Sequence, residues 1–301
     1  MKEQVNRNRL TSHRGWLTVL MVVFILYALT LIFPCFWMVY NSLKDFGEFR
    51  ESVWALPKAP IKNLANYLEA FQMKVDPNIR GVKPVALPGM FLHTIYLSFV
   101  PPIFSLFFTC CTAYAYARHN FKLKGVLYTI MIIPMLVTLA GTLPTMYSLV
   151  NNMGLYNNIF LFMVTGWSGA GFNFLLLSSI FENISGTYKE AAQIDGAGNW
   201  RIFLTIYIPQ ASNVVISLYV LAVIAAWNDY LTPTLYLPRF PTLATGIFKL
   251  RSDVEGGADE YAHQWPKMYA VMIWSILPVL ALFIAFQDKI MAMTGGGGIK
   301  E

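Results

Sequence analysis

The side chains that most often catalyse reactions or bind metals are few in this 301-residue sequence, and their spacing forms no recognisable site. The four histidines, His13, His93, His119 and His263, include no H-E-x-x-H pair that could hold a metal on one helical face. The three cysteines lie in apolar runs without C-x-x-C spacing, which indicates buried thiols rather than a zinc site or disulfides. We therefore predict no metal, no resident cofactor and no enzymatic activity in this chain.

Motifs for nucleophilic catalysis and for phosphate binding are also missing. The sequence contains no G-x-S-x-G nucleophile elbow. Four glycines at positions 295–298 precede Ile299 and Lys300, but a P-loop needs G-x-x-x-x-G-K-S/T between a strand and a helix. We interpret residues 291–301 as a Gly-rich cytoplasmic tail. If the protein uses nucleotide energy, another chain must bind the nucleotide.

Asp229 is the exception among the apolar stretches. A carboxylate within a membrane is costly to bury, so Asn228 and Asp229 are candidates for the lining of a translocation path. The alternative is that Asp229 lies near the outer mouth of the protein, hydrated or hydrogen-bonded. A single carboxylate is weak support for a proton pathway.

Proline is frequent in the same stretches. It removes a helical N–H group and bends or breaks a helix, which can open a cavity, although proline is also common in ordinary packed membrane helices. The sequence leaves both interpretations open for Pro34, Pro101, Pro102, Pro134, Pro144, Pro233 and Pro278.

The elements that carry these residues follow from the composition, which is 56% hydrophobic and only 13% charged. This balance excludes a soluble domain, and no Lys/Arg cluster is long enough to bind nucleic acid. A bilayer core needs about 20 apolar residues per helix, and no pattern of a membrane barrel is present. The charge-free stretches predict an all-α, polytopic membrane protein with six transmembrane helices, at roughly 17–42, 91–117, 125–149, 159–181, 211–236 and 268–287.

The distribution of basic residues predicts the orientation. Arg118, Lys122 and Lys124 crowd one tight loop without an acidic residue, and the N-terminal tail is also basic, so both termini are predicted to be cytoplasmic. The first apolar run is too long for a cleaved signal peptide and is interpreted as a retained anchor. The predicted organisation is a tail at 1–16, one membrane domain at 17–290 with outer loops at 44–90 and 237–267, and the tail at 291–301.

The residue types of the segment 182–209, on the predicted cytoplasmic side, predict two short helices joined by a turn. Ser185 or Thr187 can cap a short helix, and an early Glu190 would favour its N-terminal dipole. Two glycines, Gly196 and Gly198, allow a sharp turn. A second short helix, lying against either the membrane surface or the bundle, is predicted from apolar residues at helical spacing. The following span begins near a proline. These residues are Trp200, Phe203, Leu204, Tyr207 and Pro209.

This segment resembles the EAA loop of binding-protein-dependent ABC importer permeases. The pattern is Glu190-Ala191-Ala192, three residues, Gly196, nine residues, Ile206, one residue, and Ile208-Pro209, with Ile208 in place of the usual leucine. The Asp195-Gly196-Ala197 continuation and the stretch 227–231 are similar to the carbohydrate uptake subfamily, specifically its shorter, maltose-type second permease.

The resemblance implies an ABC type I importer permease fold in a bacterial inner membrane. It implies partners: a homologous permease, an ABC ATPase dimer that binds ATP and Mg²⁺, an extracytoplasmic solute-binding protein and a sugar. Glu190 would contact the ATPase, Ala191 and Ala192 would permit close approach, and Gly196 would permit the turn. Asp195, Ile206 and Pro209 complete the expected coupling segment.

Two other classes of protein stay open at this point. A secondary carrier or channel would need its own site for a coupling ion and no ATPase. A membrane-embedded enzyme is disfavoured because the sequence contains no catalytic constellation. The EAA pattern favours the importer subunit.

Overall fold

The computed structural model describes residues 2–77, 82–136, 142–162, 170–256 and 264–294, and nearly all regular structure within them is helical. The helices are α1 (Lys2–Ser42), α2 (Phe46–Glu51), α3 (Ala65–Ala70), α4 (Leu87–Arg118), α5 (Lys124–Leu136), α6 (Thr142–Asn152), α7 (Ile159–Phe162), α8 (Phe172–Asn183), α9 (Gly186–Ile194), α10 (Asn199–Ile202), α11 (Ile208–Gln210), α12 (Ser212–Asn228), α13 (Leu231–Tyr236), α14 (Leu243–Glu255) and α15 (Trp265–Thr294). A 3₁₀ turn lies at Lys62–Leu64 and a π-helical turn at Phe203–Tyr207.

The expectation of an all-α chain needs one small correction. Strands β1 (Lys74–Val75) and β2 (Val85–Ala86) pair antiparallel, with Lys74 opposite Ala86 and Val75 opposite Val85. β2 leads directly into α4, so this helix begins at Leu87, four residues before the predicted start of the second span at 91.

Three described helices are long and apolar enough to cross a membrane: Gly15–Ser42, Leu87–Arg118 and Trp265–Met291. The pair Asn199–Gln210 and Ser212–Asn228 would form a fourth span, bent by 79° at Ala211. The predicted spans at 125–149 and 159–181 include residues 137–141 and 163–169, which lie outside the described residues. The count of six spans therefore stays a prediction.

The predicted fifth span, 211–236, is wrong as a single helix. α12 ends at Asn228, and Asp229 has extended backbone angles (φ −75°, ψ 107°) before α13 starts at Leu231. At the start of the chain, α1 runs unbroken from Lys2 through the first apolar stretch, so residues 2–16 of the predicted tail are helical. The Gly-rich stretch at 295–301 and His263 lie outside the described residues.

The chain forms two compact units, Met1–Phe71 with Asp253–Ile273, and Gln72–Ser252 with Trp274–Glu301. In the first unit, Lys44 is almost fully buried, and its Nζ donates to the carbonyl of Ser52 at 3.0 Å. Burial lowers the pKa of Lys44, and Glu48 partly opposes that shift. The apolar part of α1 is exposed along its length, as expected of a helix that faces lipid or another membrane protein.

In the second unit, α4 packs against α8 and α12. Their shared core is rich in aromatic residues, and Phe174, Phe181, Phe203 and Tyr207 are almost completely buried. Large aromatic side chains remove much apolar surface from solvent and so dominate the packing energy. Because Phe203 and Tyr207 come from the π-helical turn, this core directly supports the 182–209 segment.

Candidate functional site

The first arm of the 182–209 segment is α9. The Ser185 hydroxyl accepts from the N–H of Thr187 at 3.4 Å, which confirms Ser185 as the N-cap. The expectation that Glu190 lies near the helix N-terminal dipole is wrong, because Glu190 is the fifth residue of α9 and lies beyond its first turn. Glu190 instead presents an exposed carboxylate.

α9 ends in a Schellman motif, which explains the glycine at position 196. The N–H of Ala197 donates to the carbonyl of Ala192 at 2.9 Å, and the N–H of Gly196 donates to the carbonyl of Gln193 at 3.0 Å. Gly196 has φ +77°, a conformation that costs other residues energy. Gly198 has φ −73°, which other residues also adopt, so of the two glycines that were expected to allow the turn only Gly196 has a backbone conformation that favours glycine. Ala192 and Ala197 pack against the core of the unit.

The second arm comprises α10, the π-helical turn and α11. Phe203 and Tyr207 are buried, whereas Trp200 and Leu204 are 64% and 51% exposed. The helical spacing of these residues is confirmed, and within this unit Phe203 and Tyr207 pack against the core whereas Trp200 and Leu204 stay exposed. Ile206 is half-buried against that core.

The proline of the motif lies before the bend rather than after it. Pro209 is in the first turn of α11, and Ala211 separates it from α12. The N–H of Ala211 donates to the carbonyl of Tyr207 at 3.1 Å, and α12 then leaves at 79° to the preceding arm. The second arm thus continues into α12 through a sharp, hydrogen-bonded corner.

Arg118, the last residue of α4, connects both arms to that helix. Its Nη2 donates to the carbonyl of Ile184, just before α9, and its guanidinium carbon lies 5.0 Å from the ring centroid of Tyr207. In return, Nζ of Lys189 in α9 donates to the Arg118 carbonyl at 3.2 Å. The sequence did not predict this role, because it indicated Arg118 only as one of three basic residues in a short loop.

The exposed side of α9 defines a surface, here called the α9 surface: Glu190, Ala191 and Ile194. All three are exposed, and Ile194 is 87% exposed. Ile194 lies one turn beyond the other two, at i+4 from Glu190 and i+3 from Ala191, so it neighbours both on one side of the helix. Asp195, also exposed, is the C-cap of the helix. Contact with another protein would remove the apolar area of Ile194 from water and offer Glu190 a basic partner.

Asn228 and Asp229 lie at the opposite end of α12 from this segment. The Asn228 amide donates to the carbonyl of Ile224 at 2.8 Å. Asp229 Oδ1 accepts from the N–H groups of Leu231 and Thr232, both at 3.0 Å, and so caps α13. These bonds agree with the interpretation of Asp229 as a hydrogen-bonded residue. Within the described residues, no three of His, Cys, Asp and Glu are grouped to hold a metal ion.

Known proteins match most of this chain. The family described as "Binding-protein-dependent transport system inner membrane component" matches residues 105–291. The "Probable ABC transporter permease protein YurM" of Bacillus subtilis strain 168 is 22% identical, covering 94% of this chain and 88% of the relative. The "Probable starch degradation products transport system permease protein AmyC" of Thermoanaerobacterium thermosulfurigenes is 27% identical, covering 92% and 94%.

A solved structure has a similar fold. It is a chain of a bacterial ABC transporter involved in the import of the acidic polysaccharide alginate, with a TM-score of 0.76 and 23% identity. The match covers 92% of the present chain and 97% of that chain. The helix arrangement described above therefore corresponds to a known permease fold over nearly its full length.

Proposed function

We propose a function for this chain from the premise that it belongs to the family of binding-protein-dependent transport system inner membrane components, which its residues 105–291 match. It is the permease subunit of an ABC importer for a sugar or oligosaccharide. The relative from Thermoanaerobacterium, named for starch degradation products, supports the substrate class. The permease itself performs no covalent chemistry, and ATP with Mg²⁺ binds to a separate ATPase dimer.

The coupling role rests on one observation: the exposed α9 surface belongs to a helix that Arg118 and Lys189 tie to the end of α4. Ile194 is 87% exposed, and burial of such a side chain against a partner would contribute about 1.5–3 kcal/mol. Glu190 beside it supplies a charge that selects a basic partner surface. We place the ATPase subunit on this surface, with Asp195 at its edge.

The contacts of the 182–209 segment indicate how a displacement of α9 reaches α4 and α12. Closure of the ATPase dimer displaces α9, and Arg118 passes that displacement to α4 through its bond to Ile184. The second arm passes it to α12 through the corner at Ala211. Because α4 and α12 pack together, both helices move as a body between inward-facing and outward-facing states.

The remaining partners follow from the same function. A homologous permease completes the membrane path, and an extracytoplasmic solute-binding protein delivers the sugar to the outer segments at 44–90 and 237–267. Both termini and the 182–209 segment are cytoplasmic in this arrangement, as the loop containing Arg118 and Lys122 favours.

A secondary carrier is the competing function. It would need an ionisable group free to bind a proton or cation, and Asp229 is the membrane-adjacent carboxylate that the sequence singled out. Oδ1 of Asp229 already accepts two backbone N–H bonds, which disfavours that role. The importer interpretation needs no such group in this chain.

Reconstitution tests the function directly. The permease is assembled in liposomes with its partner permease, the ATPase dimer and the solute-binding protein, and uptake of labelled oligosaccharide is measured. We expect uptake to require both ATP and the binding protein, and to stop with a non-hydrolysable ATP analogue. Uptake driven by an ion gradient in liposomes that lack the ATPase would contradict the proposal and support the carrier.

A further inference from the structure

Three helices of the second unit, α4, α8 and α12, enclose a groove of about 230 Å³. α4 contributes Pro101, Pro102 and Ser105, α8 contributes Asn173, and α12 contributes Ala222. Pro102 is near the middle of the 32-residue α4, so the groove lies close to half the depth of this span. None of the residues already assigned to ATPase coupling lines it.

The two adjacent prolines leave polar backbone groups at this groove. Proline has no N–H group, so Pro101 and Pro102 cannot donate the helical bonds to the carbonyls of Leu97 and Ser98. For the Leu97 carbonyl, the residue at i+4 is Pro101 and the residue at i+5 is Pro102, so neither has an N–H group to donate. Leu97 itself lines the groove. In a membrane, unsatisfied backbone groups are tolerated where they face a polar cavity or ligand. Beside the groove, α4 thus lacks two of its helical N–H donors.

Two polar side chains complete the lining. Ser105 lies one turn beyond the prolines on α4, and Asn173 is in the first turn of α8, just after Gly171. A hydroxyl and a carboxamide both donate and accept hydrogen bonds. The rest of the lining is apolar, as is usual for sites that bind a ligand through a few placed polar groups. This mixture suits a sugar, which has apolar C–H faces and hydroxyl groups.

The lining contains no ionisable side chain. An anionic sugar passing this wall would lose hydration without gaining a cationic partner, which is costly at the depth of a membrane. An uncharged sugar loses only hydroxyl hydration, and the side chains of Ser105 and Asn173 can replace hydrogen bonds lost there.

We infer that this groove contacts an uncharged oligosaccharide during its passage through the membrane, with Ser105 and Asn173 hydrogen-bonding its hydroxyl groups. The inference rests on the proposed function and deepens it, since it distinguishes neutral substrates from acidic ones such as the alginate imported by the transporter of similar fold. Selectivity is then shared between the solute-binding protein and this wall of the path.

The first experiment identifies the substrate charge. The cognate solute-binding protein is titrated by calorimetry with maltotriose, raffinose and a uronic acid trisaccharide. We expect a neutral trisaccharide to bind at least about 100-fold more tightly than the uronate, because the protein that delivers the sugar has to select one that the uncharged groove can pass. Preference for the uronate would overturn the inference and leave the ATP-driven importer function intact.

The second experiment tests the groove residues in the reconstituted complex. We expect Ser105→Ala and Asn173→Leu each to lower kcat/KM for uptake of the cognate trisaccharide by about tenfold, because each removes a hydrogen bond to substrate. They should also change the ratio of kcat/KM values between two neutral trisaccharides, which a general folding defect would not do. Ser179→Ala, on the exposed side of α8, is the matched control and should stay within about twofold.

The outcomes distinguish a failure of the importer function from a failure of the substrate contact at the groove. If the parent complex shows no ATP-dependent uptake, the proposed function fails. If the parent transports normally and both groove variants keep the parental rate and the parental selectivity ratio, the groove inference is wrong and the function stands. The small Ser105→Ala change keeps the test decisive if Asn173→Leu assembles poorly.

Discussion

The guanidinium of Arg118 donates a hydrogen bond to the backbone carbonyl of Ile184, 66 residues later in the sequence. This bond joins the C-terminal end of α4 to the short link between α8 and α9. A cation suits the C-terminal end of a helix, where carbonyl groups lack partners, and Lys189 donates to the Arg118 carbonyl from the other side. The two bonds tie α9 to α4 from both directions.

We expect Arg118→Gln to reduce the number of oligosaccharides imported per ATP by at least about tenfold, since a hydrogen bond to a charged group contributes about 1.5–3 kcal/mol. Arg118→Lys should recover only part of this loss, because a lysine lacks the planar group that both bonds Ile184 and lies over Tyr207. Uptake and phosphate release are measured in the same proteoliposomes. Lys122→Gln, an exposed neighbour, is the control. A parental ratio in Arg118→Gln would exclude the transmission role.

Gly196 and Gly198 should respond differently to alanine. Gly196→Ala forces an L-residue to φ +77° and should destabilise the turn by about 1–2 kcal/mol, with reduced uptake. Gly198→Ala is the matched control and should transport like the parent, because φ −73° is open to alanine. Gly196→Pro also removes the bond to the Gln193 carbonyl and should uncouple uptake from ATPase activity without preventing membrane insertion. Equal behaviour of the two alanine variants would contradict the Schellman explanation.

Charge reversal at Glu190 should weaken ATPase binding. Glu190 is exposed on the α9 surface, so Glu190→Lys leaves the permease folded and inserted but places a like charge against a basic partner. We expect the dissociation constant for the ATPase to rise at least about tenfold in detergent, with loss of coupled uptake. Asp253→Lys makes the same charge change at an exposed residue of the predicted outer side and should leave that constant unchanged.

Ile194 provides an apolar test of the same interface. Ile194→Ala removes three carbon atoms and should weaken ATPase binding by about 2 kcal/mol, or about 30-fold, if the side chain is buried on docking. The melting temperature of the isolated permease should not change, because Ile194 is 87% exposed there. The control is Ile61→Ala, at a residue that is 84% exposed in the predicted outer segment. Parental affinity in the Ile194 variant would show that the ATPase docks elsewhere.

Asp229 should be a structural cap rather than a proton carrier. Asp229→Asn keeps an oxygen that can accept from Leu231 and Thr232, so we expect parental uptake from about pH 6 to pH 8. Asp229→Ala removes the cap and should lower thermal stability by about 1 kcal/mol. A shifted pH profile of uptake in Asp229→Asn would contradict the structural role and support a proton carrier.

Local features were the most predictable. The helix cap and the turn at Gly196 follow from hydrogen bonds and backbone angles within a few residues, so residue types predicted the turn and narrowed the cap to Ser185 or Thr187. The long apolar helices α1, α4 and α15 were equally clear, because an uninterrupted apolar run has few alternatives in a membrane.

The packing that the sequence left open and the one span that it misplaced both have non-local causes. Trp200 and Phe203 have similar hydrophobicity, yet only Phe203 is buried, because the aromatic core of α4 and α8 meets one stripe of the second arm. The fifth predicted span continued past Asn228 because its apolar pattern does, whereas Asp229 stops the helix by capping the next one.

By itself, the sequence determined that the protein belongs in a membrane, and it predicted a coupling segment at Glu190–Pro209, the cytoplasmic side for that segment and ATP binding by another chain. Only the tertiary structure decided that Arg118 braces this segment and that Ser105 and Asn173 share a groove. The reason is physical: composition and short-range spacing set burial in lipid and local turns, whereas contacts between residues about 70 positions apart depend on how whole helices pack.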